Sequence, residues 1–329
     1  MSLLQVTDER LLGLLTTMVR IRALEERVYD LYTNSQLVSM SPHLSIGQEA
    51  VAAGVCGSLR ADDYILTTHR GHGHTLAKGA SMDLILGELC GRETGYCRGR
   101  GGTMHIADVR TGNLGANGIV GAGLPIACGA ALSSHYRGTD QVVVVFFGDG
   151  ASNQGTFHES LNLATAFRLP VMFVCEHNLY ALSTRYERVA ATPDVSDRAK
   201  GYNIPGVLID GMDAIGVYEA AVSAVEQLRQ GHGPILLECK TYRYMGHGLS
   251  DPRTYRTREE EEEWRSQRDC IARLANQLLE CGLITEQAME ELQHAAEQEA
   301  ADAARFALDS PWPDPLTILD NVYEARVPS

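Results

Sequence analysis

The chain has 329 residues, of which 44% are hydrophobic and 21% charged, and its formal net charge at pH 7 is −14. That length and apolar content can bury the core of one large α/β domain or two small ones. The acidic balance argues against nucleic acid or an anionic membrane surface as a partner. No apolar run approaches the roughly 20 residues that span a bilayer, and the polar residues from Gln5 onward are unlike a signal peptide. The eight cysteines show no metal-binding spacing, so we expect reduced thiols and a cytoplasmic location.

In chain order, the first predicted element is a long amphipathic helix at 7–32, inside an N-terminal helical extension over residues 1–40. Residues 91–123 carry ten glycines and are predicted to be a loop that lets the backbone approach a ligand closely. A helix at 125–135 follows. Strands and helices then alternate at 142–147, 154–168, 171–175, 214–230 and 234–242. This alternation predicts an α/β fold with a parallel sheet that is covered by helices on both faces.

From residue 257 onward the pattern becomes helical. Thr257 and Glu260 have the spacing of a capping box, and the acidic run 259–263 suits the positive end of a helix. We interpret the run as a solvated helix start in preference to an acidic docking patch. Residues 257–329 are therefore predicted to form a helical C-terminal arm of a single domain that spans 1–329.

The strand predicted at 142–147 ends in Gly148-Asp149-Gly150, and the strand at 171–175 is followed by Asn178. The distance of 178 − 149 = 29 positions fits strand end, helix, strand and next strand end. Ligands of open α/β sheets bind beyond the carboxyl ends of such strands. A carboxylate about 4 Å from a phosphate oxygen would repel it by roughly 4 kcal/mol, whereas a bound cation reverses the sign. The residues therefore predict a diphosphate site bridged by a metal ion.

Mg²⁺ takes about six oxygens and usually few of them from protein. We expect the Asp149 carboxylate, the Asn178 amide oxygen and the backbone carbonyl at Tyr180 to supply them. The Gly150 and Ala151 amides, at the start of the next helix, would bind the diphosphate. The competing interpretation is that Asp149 is an ordinary helix cap. In that case Asn178 and Tyr180 would not bind a metal ion either.

The residues at 146–159, with Asn178 at this distance, resemble the thiamine diphosphate (ThDP) motif of a known family. That family is the α subunit of the decarboxylating component of 2-oxo acid dehydrogenases, in which acetoin dehydrogenase and bacterial pyruvate dehydrogenase are the nearest types. Five further motifs occur in the same order, at 43–50, 68–74, 101–105, 115–121 and 242–247. The resemblance implies a ThDP-binding fold and ThDP with Mg²⁺ as cofactors.

The resemblance also implies roles for other residues. It places His69 and Arg70 against the diphosphate, although related chains often carry Tyr at position 69. It implies that the Gly118 carbonyl and the Val120 amide bind the aminopyrimidine ring of the coenzyme. It makes His247 a diphosphate ligand on a mobile loop, and His43 an acid or base near the reacting carbonyl.

The histidines at 69, 72 and 74 allow a different interpretation. Three histidines in six residues can bind zinc. No cysteine or carboxylate stands at helpful spacing, however, so zinc is the weaker interpretation. His72 is equally well explained as a turn residue.

The implied reaction cleaves the C–C bond next to a carbonyl and passes the acyl unit to a lipoyl group, with the cofactor as electron sink. The glutamate that polarises the pyrimidine lies on the β subunit in this family, and Glu49, Glu159 and Glu176 have ordinary helix or strand explanations. We therefore expect activity only with a β subunit, in a heterotetramer of two α and two β chains, and a lipoyl-bearing acyltransferase as a further partner. The substrate is acetoin or pyruvate, with a branched-chain 2-oxo acid as the alternative.

Two alternatives belong to other functional classes. An NAD-binding dehydrogenase also places glycines after a strand, but Asn153 stands where its fingerprint needs the third glycine. A non-catalytic scaffold subunit would keep the fold without the chemistry. Against the scaffold, every expected metal-site residue is present.

Overall fold

The structure is a computed structural model that describes residues 6–37 and 41–320. The predicted N-terminal extension and C-terminal arm lie partly outside these residues, at 1–5, 38–40 and 321–329. The helices are α1 (Asp8–Thr33), α2 (Glu49–Gly57), α3 (His72–Ala77), α4 (Met82–Leu89), α5 (Gly123–Arg137), α6 (Gly155–Ala166), α7 (Ala214–Arg229), α8 (Arg258–Gln267), α9 (Cys270–Glu280) and α10 (Glu286–Asp309). The strands are β1 (Tyr64–Thr68), β2 (Asn113–Asn117), β3 (Val143–Gly148), β4 (Val171–His177), β5 (Tyr180–Ala181), β6 (Thr184–Arg185), β7 (Gly206–Asp210) and β8 (Ile235–Lys240).

Six strands form one parallel sheet in the order β2-β1-β3-β4-β8-β7. The central strands are buried along almost their whole length, as strands covered on both faces must be. Their side chains alternate between two apolar clusters. Val143, Val145 and Phe147 pack towards α5 and α6, whereas Val144 and Phe146 pack towards α2 and α7. The predicted α/β fold with helices on both faces is confirmed.

A third apolar cluster joins the two ends of the chain. It contains side chains of α1, α4, α9 and α10, which pack together as a helical layer. The carboxylate of Glu299 on α10 accepts two hydrogen bonds from Arg20 on α1, at 2.8 and 2.5 Å. Helical N-terminal and C-terminal parts are therefore present as predicted.

Two element predictions need correction. The glycine-rich segment is not loop throughout, because it contains β2, the edge strand beside β1. Pairing of this kind uses only backbone groups, so a strand poor in apolar side chains still forms at a sheet edge. The helix predicted at 154–168 spans only Gly155–Ala166, and Phe167, just beyond its end, is 53% exposed.

One buried carboxylate organises the start of the glycine-rich segment. Glu88 at the end of α4 is fully buried and accepts four backbone N–H groups at 2.7 to 3.0 Å, two on each oxygen. The donors are the amides of Cys97, Gly99, Gly101 and Gly102. Two acceptor oxygens with full charge match four donors, and an amide side chain does not.

We predict that Glu88→Gln destabilises the chain by about 3 kcal/mol, because the new NH₂ faces two buried N–H donors. Urea unfolding followed by circular dichroism measures the change. Glu259→Gln on the exposed start of α8 is the matched control and should stay within about 0.5 kcal/mol of the parent. Equal stability of the parent and Glu88→Gln would show that these hydrogen bonds do not organise the segment.

Candidate active site

A cavity of about 400 Å³ opens at the carboxyl edge of the sheet. Residues from the ends of β1, β3 and β4, from the segment after β2 and from the segment after β8 line it. Gly148 pairs with Glu176 in the β3–β4 register. Asp149 and Asn178 therefore leave neighbouring strands at the same edge, and both line the cavity. The sequence prediction that the two strand ends share one crevice is confirmed.

Asp149 is the least satisfied charged group of the cavity. It is 2% exposed, and its Oδ2 has no hydrogen-bond partner among the described residues. Burial raises the pKa of this carboxyl, while His177 and Arg243 act in the opposite direction at a distance. A buried carboxylate with one oxygen left without a partner is costly unless a cation or proton joins it.

Asn178 is held with its amide oxygen available. Its Nδ2 donates to Oε1 of Gln48 at 3.0 Å, and its Oδ1 accepts only a long hydrogen bond from the Tyr180 amide, at 3.4 Å. The carbonyl of Tyr180 accepts a hydrogen bond from Nη1 of Arg243 at 2.7 Å. That bond leaves one carbonyl lone pair, but the guanidinium charge opposes a cation there. The residues present therefore fit a magnesium ion through Asp149 and Asn178, and fit it less well through Tyr180.

The Gly150 and Ala151 amides lie on a separate turn and not on the first turn of α6. A 3₁₀ turn spans Asp149–Asn153, and α6 begins at Gly155. A Cβ at Gly150 would lie 2.6 Å from the Cβ of Ala181, so this position requires glycine. Both residues line the cavity.

The mouth of the cavity is apolar and open. Ile119 is 71% exposed, Leu182 60% and Val120 49%, and all three line the cavity. Gly118 lies next to these residues and is half-buried. Large exposed side chains of this type in one place indicate a surface that something else covers.

Arg70 supplies positive charge from inside the protein. It is 4% exposed and donates to the carbonyls of Leu44 at 2.6 Å and of His247 at 3.0 Å. Burial lowers the pKa of Arg70 to about 9, with the charge of Arg243 as the next cause. The guanidinium therefore remains charged at neutral pH, close to where an anion would sit.

His43, His69 and His247 come from three distant parts of the chain and lie together beside Arg70. The ring centroid of His43 lies 4.8 Å from that of His69 and 4.7 Å from that of His247. Burial, followed by the charge of Arg70, lowers the pKa to about 3 for His43, about 2 for His69 and about 4 for His247. All three rings are therefore neutral near pH 7.

The neighbouring histidines of the same motif point elsewhere. His72 is fully buried at the start of α3, with its ring nitrogens 2.9 Å from Glu25 and 2.7 Å from the Thr103 hydroxyl. His74 lies between Glu176 at 3.2 Å and Thr67 at 2.7 Å. The turn explanation of His72 and the zinc interpretation of His69, His72 and His74 are therefore wrong, because the last two rings bind buried partners of their own.

The polar residues of the cavity that sequence reasoning missed include Gln48, Glu176 and Arg243. Gln48 and Arg243 belong to motifs that carried the resemblance, so a signal for them existed. Glu176 was explained as an ordinary strand residue. It is 3% exposed, lines the cavity and binds His74, which the linear sequence does not indicate.

The segment that carries His247 is held by acidic residues. Asp251 accepts hydrogen bonds from the His247 amide at 2.7 Å and from the Tyr255 hydroxyl at 2.6 Å. Glu260 and Glu261, from the acidic run at the start of α8, bind Tyr180 and Arg256 respectively. The run is therefore not only a solvated helix start, because two of its carboxylates fasten the walls of the site.

Residues 16–316 match the family described as dehydrogenase E1 component, and the chain belongs to that family. It is thus a component of a ThDP-dependent oxidoreductase. It is 45% identical over 320 residues to the α subunit of acetoin:2,6-dichlorophenolindophenol oxidoreductase of Bacillus subtilis (strain 168), covering 97% of this chain and 95% of the relative.

Two further relatives show the range of named activities. The chain is 41% identical to the corresponding acetoin subunit of Cupriavidus necator, over 97% of this chain and 96% of the relative. It is also 41% identical to the pyruvate dehydrogenase E1 component subunit alpha of Rhizobium meliloti, over 90% and 85%. Family membership removes the support for an NAD-binding dehydrogenase. In the described part of the chain, none of the helices is long and apolar enough to cross a membrane.

We predict that Asp149→Asn stabilises the metal-free and coenzyme-free chain by about 1 kcal/mol or more at neutral pH, because it removes a buried charge whose Oδ2 has no hydrogen-bond partner. Burial raises the pKa of Asp149 in the folded chain above its value of about 4 in the unfolded chain. The stability that Asp149 contributes is therefore fully present below about pH 4 and is lost as pH rises through its folded-state pKa. The gain from the substitution should therefore grow as pH rises from about 4 through the folded-state pKa of Asp149. Urea unfolding in the presence of a chelator measures it.

Asp309→Asn, at an exposed helix end, is the matched control and should show a pH-independent difference below about 0.5 kcal/mol. A destabilised Asp149→Asn chain would mean that the carboxylate has partners in the metal-free protein.

Proposed function

We propose that this chain is the α subunit of an acetoin- or pyruvate-type dehydrogenase component, and that the cavity at the sheet edge binds the diphosphate of ThDP through Mg²⁺. The observation that carries the proposal is the buried Asp149 carboxylate, whose Oδ2 lacks a hydrogen-bond partner among the described residues. Asn178 follows the neighbouring strand at the same sheet edge, and its amide oxygen accepts only a long hydrogen bond. Two oxygen donors of this kind suit Mg²⁺, which completes its shell with phosphate and water. The Tyr180 carbonyl would be the third and weakest protein ligand, because Arg243 already donates to it.

The remaining diphosphate contacts follow from charge and position. Arg70 would give a charge-assisted hydrogen bond, since it is charged and its guanidinium lies at the cavity wall. The Gly150 and Ala151 amides and the His69 and His247 rings would donate further hydrogen bonds. An acidic chain needs this local positive charge to hold a polyanion.

The bound coenzyme supplies an electron sink for the carbanion that forms when a C–C bond next to a carbonyl breaks. The chain's own residues do the positioning. The Gly118 carbonyl and the Val120 amide would hold the aminopyrimidine ring at the apolar mouth. His43 is neutral at pH 7, so near the reacting carbonyl it would accept a proton or donate a hydrogen bond, and the nearby anion would raise its pKa.

The open apolar mouth supports a site completed by a second chain. Ile119, Val120 and Leu182 are too exposed to be the finished wall of a cavity from which water is excluded. The relatives are named as α subunits, and we propose a β subunit as the cover, in a heterotetramer of two α and two β chains. A lipoyl-bearing acyltransferase is the proposed acceptor of the acyl unit, and acetoin or pyruvate the proposed substrate, with branched-chain 2-oxo acids as the alternative. A cytoplasmic location remains a prediction from the sequence.

We predict that the chain co-expressed with a β subunit reduces 2,6-dichlorophenolindophenol with acetoin or pyruvate only when ThDP and Mg²⁺ are both present. The chain alone and the β subunit alone, tested in parallel, should show no turnover. A branched-chain 2-oxo acid and a lipoyl domain as acceptor extend the same assay. Absence of turnover with every substrate in a properly assembled complex would favour a scaffold subunit.

A further inference from the structure

His43, His69 and His247 are placed as ligands of a metal ion are placed. A ring nitrogen of each lies within 4.8 Å of a ring nitrogen of the other two. The residues come from the segment before α2, the end of β1 and the segment after β8, so the tertiary fold and not local spacing brings them together. All three are half-buried, and His69 and His247 also line the cavity.

These rings also differ from the other buried histidines in what they bind. His72, His74 and His177 each have a ring nitrogen against a buried glutamate. By contrast, Nδ1 of His43 and Nδ1 of His247 are buried without a hydrogen-bond partner among the described residues. Neutral imidazole rings with nitrogens that lack hydrogen-bond partners can donate lone pairs to a metal ion.

We propose that His43, His69 and His247 form a binding site for one divalent ion of the Zn²⁺ class, separate from the oxygen-donor site at Asp149 and Asn178. Imidazole nitrogens select Zn²⁺, Co²⁺, Ni²⁺ and Cu²⁺, whereas carboxylate and amide oxygens select Mg²⁺. Three protein ligands with an open fourth position are typical of an exchangeable site and not of a closed structural one.

The charges around the cluster set the strength of the site. Arg70 and Arg243 bring positive charge to all three rings, which weakens the binding of any cation. Asp251, beside His247, acts in the opposite direction. The rings need no deprotonation at neutral pH, which favours binding. We therefore expect a reversible site that is weaker than a structural zinc site.

An ion at this site would use the same imidazoles that the proposed function assigns to the diphosphate. The ion and the coenzyme should therefore weaken each other's binding. This consequence rests on the proposed function, whereas the metal site itself does not.

Titration of the full chain with Co²⁺, free of coenzyme, tests the site through the visible d–d absorption of the ion. We expect one equivalent to bind with the intense absorption of a low-coordinate nitrogen site. His43→Ala, His69→Ala and His247→Ala should each lower the affinity at least about tenfold. His69→Tyr keeps a ring of similar size and should lose affinity in the same way, which separates loss of the nitrogen from loss of packing. Circular dichroism checks that each variant is folded.

The controls separate this site from others. His232→Ala and His294→Ala, at exposed histidines, should bind Co²⁺ as the parent does. Excess Mg²⁺ should not displace Co²⁺, and Asp149→Ala should keep the absorption even if it has lost the coenzyme. Unchanged affinity in folded His43, His69 and His247 variants, or loss of the absorption with Asp149→Ala or with Mg²⁺, would overturn the proposal.

The competition between Co²⁺ and the coenzyme is tested separately, by measuring how the coenzyme changes the affinity for Co²⁺. In the parent complex with the β subunit, saturating ThDP with Mg²⁺ should raise the apparent dissociation constant for Co²⁺. Simultaneous binding of both at full affinity would overturn the exclusion. If that complex binds Co²⁺ through the three histidines but binds no ThDP, the proposed function fails and the metal site stands.

Discussion

The site depends on one unbalanced charge, the carboxylate of Asp149 at the end of β3, a buried central strand of the parallel sheet. The strands on either side are buried, so water cannot solvate the carboxylate, and its Oδ2 has no hydrogen-bond partner among the described residues. A buried carboxylate oxygen without a partner lowers stability, and it is tolerated at a site where a bound group stabilises it. The proposed divalent cation would do so and would at the same time allow a diphosphate to bind at this acidic edge.

The same edge offers two kinds of donor. Asp149 and Asn178 present oxygens on neighbouring strand ends, and both are suited to a hard ion. His43, His69 and His247 present neutral nitrogens next to two buried arginines. Oxygen donors and imidazoles select different ions, so the proposed magnesium ion and the proposed ion of the Zn²⁺ class would bind to different donors of this edge.

Much of the fold and part of the site could be predicted from the sequence. The strand before Asp149 and the strand before Asn178 are continuous apolar runs, and the parallel register alone places their ends together. Edge strands were harder to predict, because β2 lies in a glycine-rich segment and pairs through its backbone. Local patterns do not carry that information.

Contacts between distant segments explain the rest. His69, His72 and His74 look equivalent in the sequence, yet two of them serve buried glutamates and one faces the cavity. His43 and His247 could be placed near His69 only through the family resemblance. Arg243 donates a hydrogen bond to Tyr180, which lies 63 residues away in the sequence. Gln48 accepts a hydrogen bond from Asn178, which lies 130 residues away. No spacing rule predicts such contacts.

The most direct test measures ThDP binding by the complex with its β subunit while Mg²⁺ is varied. For the parent, the affinity should rise with Mg²⁺, whereas Asp149→Ala and Asn178→Ala should lose that dependence. The double variant should lose little more, since both residues would hold the same ion. An Asp149→Ala complex whose ThDP affinity still rises with Mg²⁺ as in the parent would contradict the account.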